Sequence, residues 1–180
     1  SSDLHRILLE LSGDRVIGKD LAIERRHAPL DFGQFQNEFF AMVGDEHKSE
    51  GFLKRVLAVE RDRLVRLTDI GVQNPFFFTL AEYEAALLRW KENDAAMTRS
   101  SLEQAHNLFS EFDDETWGNL AMIEEKLLAA AGDKRGDFLW PLRVALTGAE
   151  RSPSPAQVAW VLGKEESITR VQKALEKLSA

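Results

Sequence analysis

The sequence predicts an all-α protein built from two packed helical subdomains, residues 1–91 and 92–180. Apolar residues recur every three or four positions in several segments, and no segment alternates apolar and polar residues as a strand would. Glycine follows the last apolar residue of many of these segments, at the position where helices commonly end, and Gly148 and Gly163 are predicted to end helices in the same way. The charged stretch 91–94 separates two sets of such segments and therefore marks the predicted boundary.

Three helices are predicted in the first 73 residues from apolar periodicity and a closing glycine. They are marked by Leu4, Ile7, Leu8 and Leu11 before Gly13, by Phe32, Phe35, Phe39 and Val43 before Gly44, and by Phe52, Leu53, Val56, Leu57, Leu64 and Leu67 before Gly71. Asn74 and Pro75 then interrupt the chain, because a proline disfavours helical backbone at the residue before it.

Later helix starts are predicted from capping boxes, in which a Ser or Thr and a Glu or Gln three residues later satisfy each other's backbone amides. The candidate pairs are Thr79 with Glu82, Ser100 with Glu103, and Ser154 with Gln157. Pro155 supports the last pair, since proline fits the first helical position.

Two more helices are predicted towards the C-terminus. One is marked by Trp117, Leu120, Leu127, Leu128 and Ala131 before Gly132, and the last by Ile168, Val171, Leu175 and Leu178. The acidic run 113–115 lies at the start of the Trp117 helix, where carboxylates cap the helix and offset its dipole. We expect most of the four tryptophans to fill the core rather than to stack on bases.

Charge is distributed in blocks along the chain. The formal net charge of −7 argues mildly against a nucleic-acid partner, because binding to phosphates needs local Lys and Arg. Residues 51–80 carry five basic against three acidic residues, residues 81–125 three against eleven, and residues 126–180 nine against six. This pattern is not typical of a protein that binds nucleic acid regardless of its sequence, but it is compatible with a small basic groove.

No catalytic chemistry is evident. The sequence has no Walker-type or dinucleotide-binding glycine loop, and its four histidines form no metal-ligand pattern. We therefore expect no catalytic, cofactor or metal site in this chain. It has no apolar run long enough to span a membrane, no visible secretion signal and no cysteine, so we expect no membrane partner and a cytoplasmic location.

Four short motifs follow one another in the final third. They are 136–148, which ends in Leu142-Arg143-Val144-Ala145-Leu146-Thr147-Gly148; 151–155 with its two prolines; Leu162-Gly163-Lys164-Glu165; and Ile168 to Val171 with Arg170. In this order and spacing they resemble the C-terminus of bacterial-type glutamyl-tRNA synthetases. Upstream, Arg63 to Ile70 followed by 76–78 is similar to a further segment of that family, with Leu67-Thr68 where the family usually has Thr-Leu.

The resemblance implies an anticodon-reading region, in which residues 1–91 contact the anticodon stem and residues 92–180 the anticodon of tRNA-Glu. The implied tRNA-binding residues are Arg143, Ser154, Pro155, Gln157, Arg63, Arg66 and Arg170. The family's catalytic signatures are not found here. The resemblance therefore implies a parent glutamate–tRNA ligase whose ATP, Mg and glutamate bind on a missing half, and a monomeric fragment that is inactive alone.

Arginine suits this role because its planar fork can contact a base edge or a phosphate bidentately, and open amides at a helix start attract anions. Three of the candidates also have a structural interpretation: an ion pair for Arg143, capping of its own helix for Ser154, and a solvated helix face for Arg63. A second interpretation of the whole chain is a helical protein-interaction module without tRNA binding, docking through the acidic block 81–125.

Overall fold

The computed structural model describes residues 50–60 and 74–179, and all regular secondary structure in these two ranges is helical. The predicted all-α fold class is confirmed. The chain divides into two compact units, Ser1–Gln73 and Asn74–Ala180. None of the helices within the described ranges combines the length and the apolar character needed to cross a membrane.

In the first unit, the described structure is helix α1, Glu50–Glu60. It confirms the beginning of the predicted third helix, and its Val56 side chain is fully buried. The predicted helices before residue 50 and the predicted helix end at Gly71 lie outside the described residues. So do two candidate tRNA contacts, Arg63 and Arg66.

The described part of the second unit is a bundle of five α-helices preceded by two short 3-10 helices. The 3-10 helices span Pro75–Phe77 and Ala85–Leu88, and the α-helices are α2 (Ala95–Glu111), α3 (Asp114–Gly118), α4 (Leu120–Ala131), α5 (Arg135–Thr147) and α6 (Pro155–Lys177). Helices α2, α5 and α6 pack against one another, and α4 packs on α5 and α6. The largest fully buried side chains of these helices are Phe109, Leu102, Ile123, Leu127, Leu142 and Leu146.

Side-chain caps determine where α2, α3 and α4 begin. The Asp94 carboxylate accepts the Met97 amide at 2.8 Å, the Asp113 carboxylate accepts the Thr116 amide at 2.8 Å, and the Asn119 side chain accepts the Ala121 amide at 3.0 Å. Asp113 therefore has the predicted capping role. Its hydrogen bonds with Thr116 hold the pKa of the Asp113 carboxyl below its usual value.

Two of the three predicted capping boxes are wrong. The Thr79 amide is bonded to the Pro75 carbonyl at 2.9 Å, and the chain that follows is not helical until Ala85. Glu82, the predicted capping partner of Thr79, instead forms an ion pair with Lys177 at 2.7 Å. Ser100 lies inside α2, because Asp94 already caps that helix. The Ser154–Gln157 box is confirmed at the start of α6.

Local backbone conformation breaks the predicted helices at defined residues. The single helix predicted around Trp117 is two helices, α3 and α4, because Asn119 is extended at φ −124°. Gly132 and Gly148 end α4 and α5 as predicted, with φ of 52° and 67°. Gly163, at φ 78°, interrupts the helical geometry inside α6. These positive φ angles favour glycine.

The segment 74–91 lies on the C-terminal helices, so the division between compact units falls before the predicted boundary at residues 91–92. The Leu87 carbonyl accepts the Trp140 indole N–H at 3.0 Å, and the Phe76 carbonyl accepts Arg170 Nη1 at 2.7 Å. The functional division, with residues 1–91 on the anticodon stem and 92–180 on the anticodon, stays a prediction because contacts within the protein do not test it.

Tryptophans occupy two kinds of position. Trp117 is buried at 6 % exposure among other aromatic rings, whereas Trp90, Trp140 and Trp160 are half-buried, so the prediction that most tryptophans fill the core holds for Trp117 alone. Trp90 and Trp140 form a half-buried pair with ring centroids 5.0 Å apart. The Trp90 ring of this pair lies over Gly136, where an added Cβ would overlap the ring nitrogen and lie 2.6 Å from Cε2. A larger residue at this position would therefore have to displace the Trp90 ring.

We predict that Gly136→Ala lowers the free energy of unfolding by about 1–3 kcal/mol, because the methyl group would displace the Trp90 ring from its contact with Trp140. Urea unfolding followed by tryptophan fluorescence measures this change. The matched control is Gly118→Ala, since a Cβ at Gly118 meets no atom within 4 Å. Equal losses in both variants would contradict the packing role of Gly136.

Candidate nucleic-acid interface

The end of α5, the start of α6 and the loop 148–154 between them bring most of the predicted contact residues together. Arg143, near the end of α5, donates from Nη1 to the Ser152 carbonyl at 2.9 Å and to Ser152 Oγ at 3.3 Å. The arginine side chain is thereby held against the loop that leads to Ser154. Sequence reasoning placed Ser152 in the loop, but its contact with Arg143 depends on the chain reversal at Gly148.

Arg143 keeps hydrogen-bonding capacity for a ligand. A guanidinium has five N–H groups. The hydrogen bonds described for Arg143 use Nη1 alone, and within the described part of the chain no acceptor contacts Nε or Nη2. Partial burial lowers the pKa of Arg143 from its usual high value. The Nε and Nη2 groups together form a fork of the kind that binds a carboxylate-like or phosphate edge.

The capping box fixes the start of α6. Ser154 Oγ accepts the Gln157 amide at 3.2 Å, while Gln157 Oε1 accepts the Ser154 amide at 2.9 Å. Pro155 is buried at the first helical position and has no N–H to offer. The Val158 amide is bonded to the Ser154 carbonyl at 3.0 Å. Most amides of this helix start therefore already have a partner within the protein.

This arrangement changes the role expected of the helix start. Ser154 and Gln157 were predicted to offer open amides and a hydroxyl to RNA, but the capping box engages both side chains. Two features of the helix start remain available to bind RNA. One is the partial positive charge of the helix N-terminus, whose first turn has no acidic residue, and the other is the O–H donor of the Ser154 hydroxyl, which accepts the Gln157 amide but can still donate. The exposed Arg151 adds a cation to the same loop.

Arg170, another predicted tRNA contact, lies in the core and makes hydrogen bonds within the protein. It is 2 % exposed, and Nη1 donates to the Phe76 and Leu146 carbonyls at 2.7 Å each. Its Nε donates to Glu166 Oε1 at 2.7 Å. Burial lowers the pKa of Arg170, and the hydrogen bond with Glu166 opposes that effect. A guanidinium enclosed in this way cannot reach a base or a phosphate without leaving the core.

The candidate interface is thus narrower than the predicted set. Arg143, Ser154, Pro155 and Gln157 lie together at the junction of α5 and α6, whereas Arg170 lies in the core and Arg63 and Arg66 fall outside the described residues. Among the residues that the structure describes, no group of three or more His, Cys, Asp or Glu side chains could hold a metal ion.

The same helical bundle occurs in solved structures. A crystal structure titled as a glutamate tRNA ligase from Elizabethkingia meningosepticum, in complex with its amino acid, matches 79 % of this chain and 28 % of its own with a TM-score of 0.64 and 24 % identity. The glutamate-tRNA synthetase of Elizabethkingia anophelis matches 78 % of this chain and 27 % of its own, with a TM-score of 0.59 and 24 % identity. The fold class is that of a helical domain found within longer proteins.

A family model described as "anticodon binding domain" matches residues 32–175. The chain belongs to this family. Curated relatives include two glutamate–tRNA ligases. That of Lachnoclostridium phytofermentans is 32 % identical over a match that covers 71 % of this chain and 27 % of the relative. That of Clostridium botulinum (strain Eklund 17B) is 33 % identical over a match that covers 79 % of this chain and 31 % of the relative. The chain spans less than a third of the length of these relatives.

We predict that Ser154→Ala lowers the free energy of unfolding by about 1 kcal/mol, because the Gln157 amide loses its cap. Ser154→Asp should keep most of that stability, since a carboxylate oxygen can accept the same amide. Thermal unfolding of the three proteins tests this order. If Ser154→Asp were as unstable as Ser154→Ala, the stabilising role of the cap would be refuted.

Proposed function

We propose that this chain is the anticodon-recognising part of a glutamate–tRNA ligase and that its partner is tRNA-Glu. Membership of the anticodon-binding family over residues 32–175 is the observation that carries the proposal. The curated relatives at 32 % and 33 % identity, both named as glutamate–tRNA ligases, support the amino acid and the tRNA.

The junction of α5 and α6 supports a contact with unpaired nucleotides. Anticodon bases are unstacked, so a protein can read their edges by hydrogen bonds. Arg143 presents its Nε and Nη2 groups from a side chain held by Ser152, which reduces the entropy lost when RNA binds. We propose Arg143 as the principal contact, with Arg151 and the Ser154 hydroxyl contributing at its side.

The parent enzyme would charge tRNA-Glu with glutamate at the expense of ATP, and a region outside this chain would bind ATP, Mg and glutamate. The chain alone would then be inactive in aminoacylation, act as a monomer in the cytoplasm and need no cofactor of its own. The short share of each relative that it matches supports this division of labour. Arg63 and Arg66 remain proposed contacts to the tRNA.

We predict that Arg143→Ala distinguishes a base contact from a phosphate contact. If Arg143 reads a base edge, the variant should lose about 1–3 kcal/mol of discrimination between tRNA-Glu transcript and a transcript altered in the anticodon. If it meets only phosphate, affinity for both transcripts should fall alike. Filter binding or gel shift at one fixed salt concentration measures both affinities.

Two further variants sharpen this test. Arg143→Lys keeps the charge but not the planar fork, so it should restore affinity without restoring discrimination if the fork reads a base. Arg135→Ala is the matched control, because Arg135 is an exposed arginine in the first turn of the same helix. Unchanged binding of both transcripts by Arg143→Ala would exclude this junction as the interface, and wild-type protein that binds no tRNA would favour a protein-interaction module.

We predict a shallow salt dependence for tRNA binding. Each phosphate contact contributes a slope of roughly −0.7 to −0.9 in log K against log salt, and the second unit offers few exposed cations at this junction. Titrations between about 50 and 200 mM salt should therefore give a slope equivalent to a few contacts. A slope near zero would show that binding does not involve the RNA backbone.

A further inference from the structure

Several hydrogen bonds converge on the last turn of α5. The Gly148 amide donates to the Val144 carbonyl at 2.7 Å, and the Thr147 hydroxyl donates to the Arg143 carbonyl at 2.7 Å. Arg170 donates to the Leu146 carbonyl, also at 2.7 Å. The final carbonyls of a helix lack partners within the helix. Here the Val144 and Leu146 carbonyls, two of the last four of α5, each have a partner, and the Thr147 hydroxyl adds a bond to the Arg143 carbonyl one turn earlier, so hydrogen bonds restrain the direction in which the chain leaves α5.

Thr147 connects Arg143 to the loop directly. Its side chain is buried, with the residue 2 % exposed. Besides donating to the Arg143 carbonyl, Thr147 Oγ1 accepts the Ala149 amide at 3.1 Å. One hydroxyl therefore joins the backbone of the arginine to the second residue of the loop that contains Ser152, the acceptor of the arginine side chain.

Arg170 holds the same turn from α6. Its Nη1 bridges the Leu146 carbonyl and the Phe76 carbonyl, so the end of α5 and the segment 74–78 are fixed to one guanidinium. A cation at a helix C-terminus also interacts favourably with the helix dipole. Glu166, with its side chain 49 % exposed, pairs with the other edge of the guanidinium.

Gly148 closes the arrangement from the opposite side. An added Cβ would lie 3.1 Å from the Ala81 carbonyl and 3.1 Å from a ring carbon of Tyr83, and the residue has φ +67°. The segment 81–83 thus packs directly on the turn, which leaves the loop little freedom at its first residue. Thr147 and Arg170 are the two polar side chains that hold the turn in this position.

We propose that Thr147 and Arg170 are positioning residues for tRNA recognition: they fix the loop 148–154 relative to Arg143, so that Nη1 is engaged by Ser152 and the Nε and Nη2 groups remain for the RNA. This inference rests on the proposed function. It assigns no direct contact with RNA to Thr147 or Arg170. Their loss should therefore reduce discrimination between anticodons, through a misplaced Arg143, even in protein that stays folded.

The test uses paired variants of the 180-residue chain. Thr147→Val removes the hydroxyl with little change in shape, and Thr147→Ser keeps it. Arg170→Met removes the cation, and Arg170→Lys keeps a charge and donors. For each protein, the ratio of the Kd values for anticodon-altered and matched tRNA-Glu transcripts is measured well below the unfolding midpoint. Hydrogen exchange of the amides of residues 148–154 is followed in parallel.

We expect the ratio to fall about 5- to 10-fold in Thr147→Val, as the loss of the two hydrogen bonds made by the Thr147 hydroxyl allows, and to recover in Thr147→Ser. Faster exchange of the loop amides should accompany the loss. The control is Arg99→Met, because Arg99 also donates to a helix carbonyl, that of Leu175 at 3.4 Å, but among the described residues it forms no hydrogen bond or ion pair with α5 or the loop. It should lower stability without changing the ratio.

Three outcomes would overturn the inference. The first outcome is a wild-type chain that discriminates between the transcripts and a ratio that does not change in Thr147→Val or in folded Arg170→Met. Both residues would then have a purely structural role, and the proposed function would be unaffected. The second outcome is hydrogen exchange of the loop amides that is unchanged in Thr147→Val, which would also overturn the inference. If Arg170→Met does not fold, Thr147→Val alone tests the inference. A wild-type chain that shows no discrimination would instead overturn the proposed function and this inference together.

Discussion

A guanidinium taken out of water needs acceptors for its N–H groups, and Arg170 finds them in three different parts of the chain. It contacts the carbonyls of Phe76 and Leu146 and the carboxylate of Glu166. Since burying an unpaired charge is costly, these acceptors must stay where they are for the charge to be tolerated. The buried arginine therefore ties the segment before α2 to the end of α5 and to α6, and the candidate interface is built on that fixed junction.

In the candidate interface, the groups available to a ligand come more from the Arg143 side chain than from the dipole of helix α6. The capping box consumes amides that an open helix N-terminus would present to an anion, and Pro155 removes another. Arg143 has the complementary property, because its contact with Ser152 restricts the side chain while two of its nitrogens keep their N–H groups for a ligand. A preorganised fork suits the edge of an unpaired base, whereas a bare helix start would favour any phosphate.

The sequence alone was sufficient for features encoded within one turn of helix. The Ser154–Gln157 box, the Asp113 cap and the helix ends at Gly132 and Gly148 all follow from residues three to four positions apart, and each was predicted. The false capping boxes at Thr79 and Ser100 had the same local pattern. Other partners overrode it, since Glu82 pairs with Lys177 across 95 positions and Asp94 starts α2 earlier.

The candidate site shows the same limit. Arg143, Ser154, Pro155 and Gln157 were found from a resemblance in short motifs, and the fold brings them together. Arg170 belonged to the same motifs, yet only the three-dimensional structure shows it in the core, because its acceptors lie 24 and 94 positions away along the chain. A pattern of residue types does not distinguish an arginine that supports a site from one that forms it.

The segment 74–91 also bears on how the C-terminal helices could be isolated. It contains only two short 3-10 turns, and much of its fixed position comes from Arg170, Trp140 and the pair of Glu82 with Lys177. A recombinant domain trimmed at the charged stretch 91–94 would strip this cover from α5 and leave the guanidinium of Arg170 short of an acceptor. A C-terminal piece that keeps these contacts should accordingly start near Asn74.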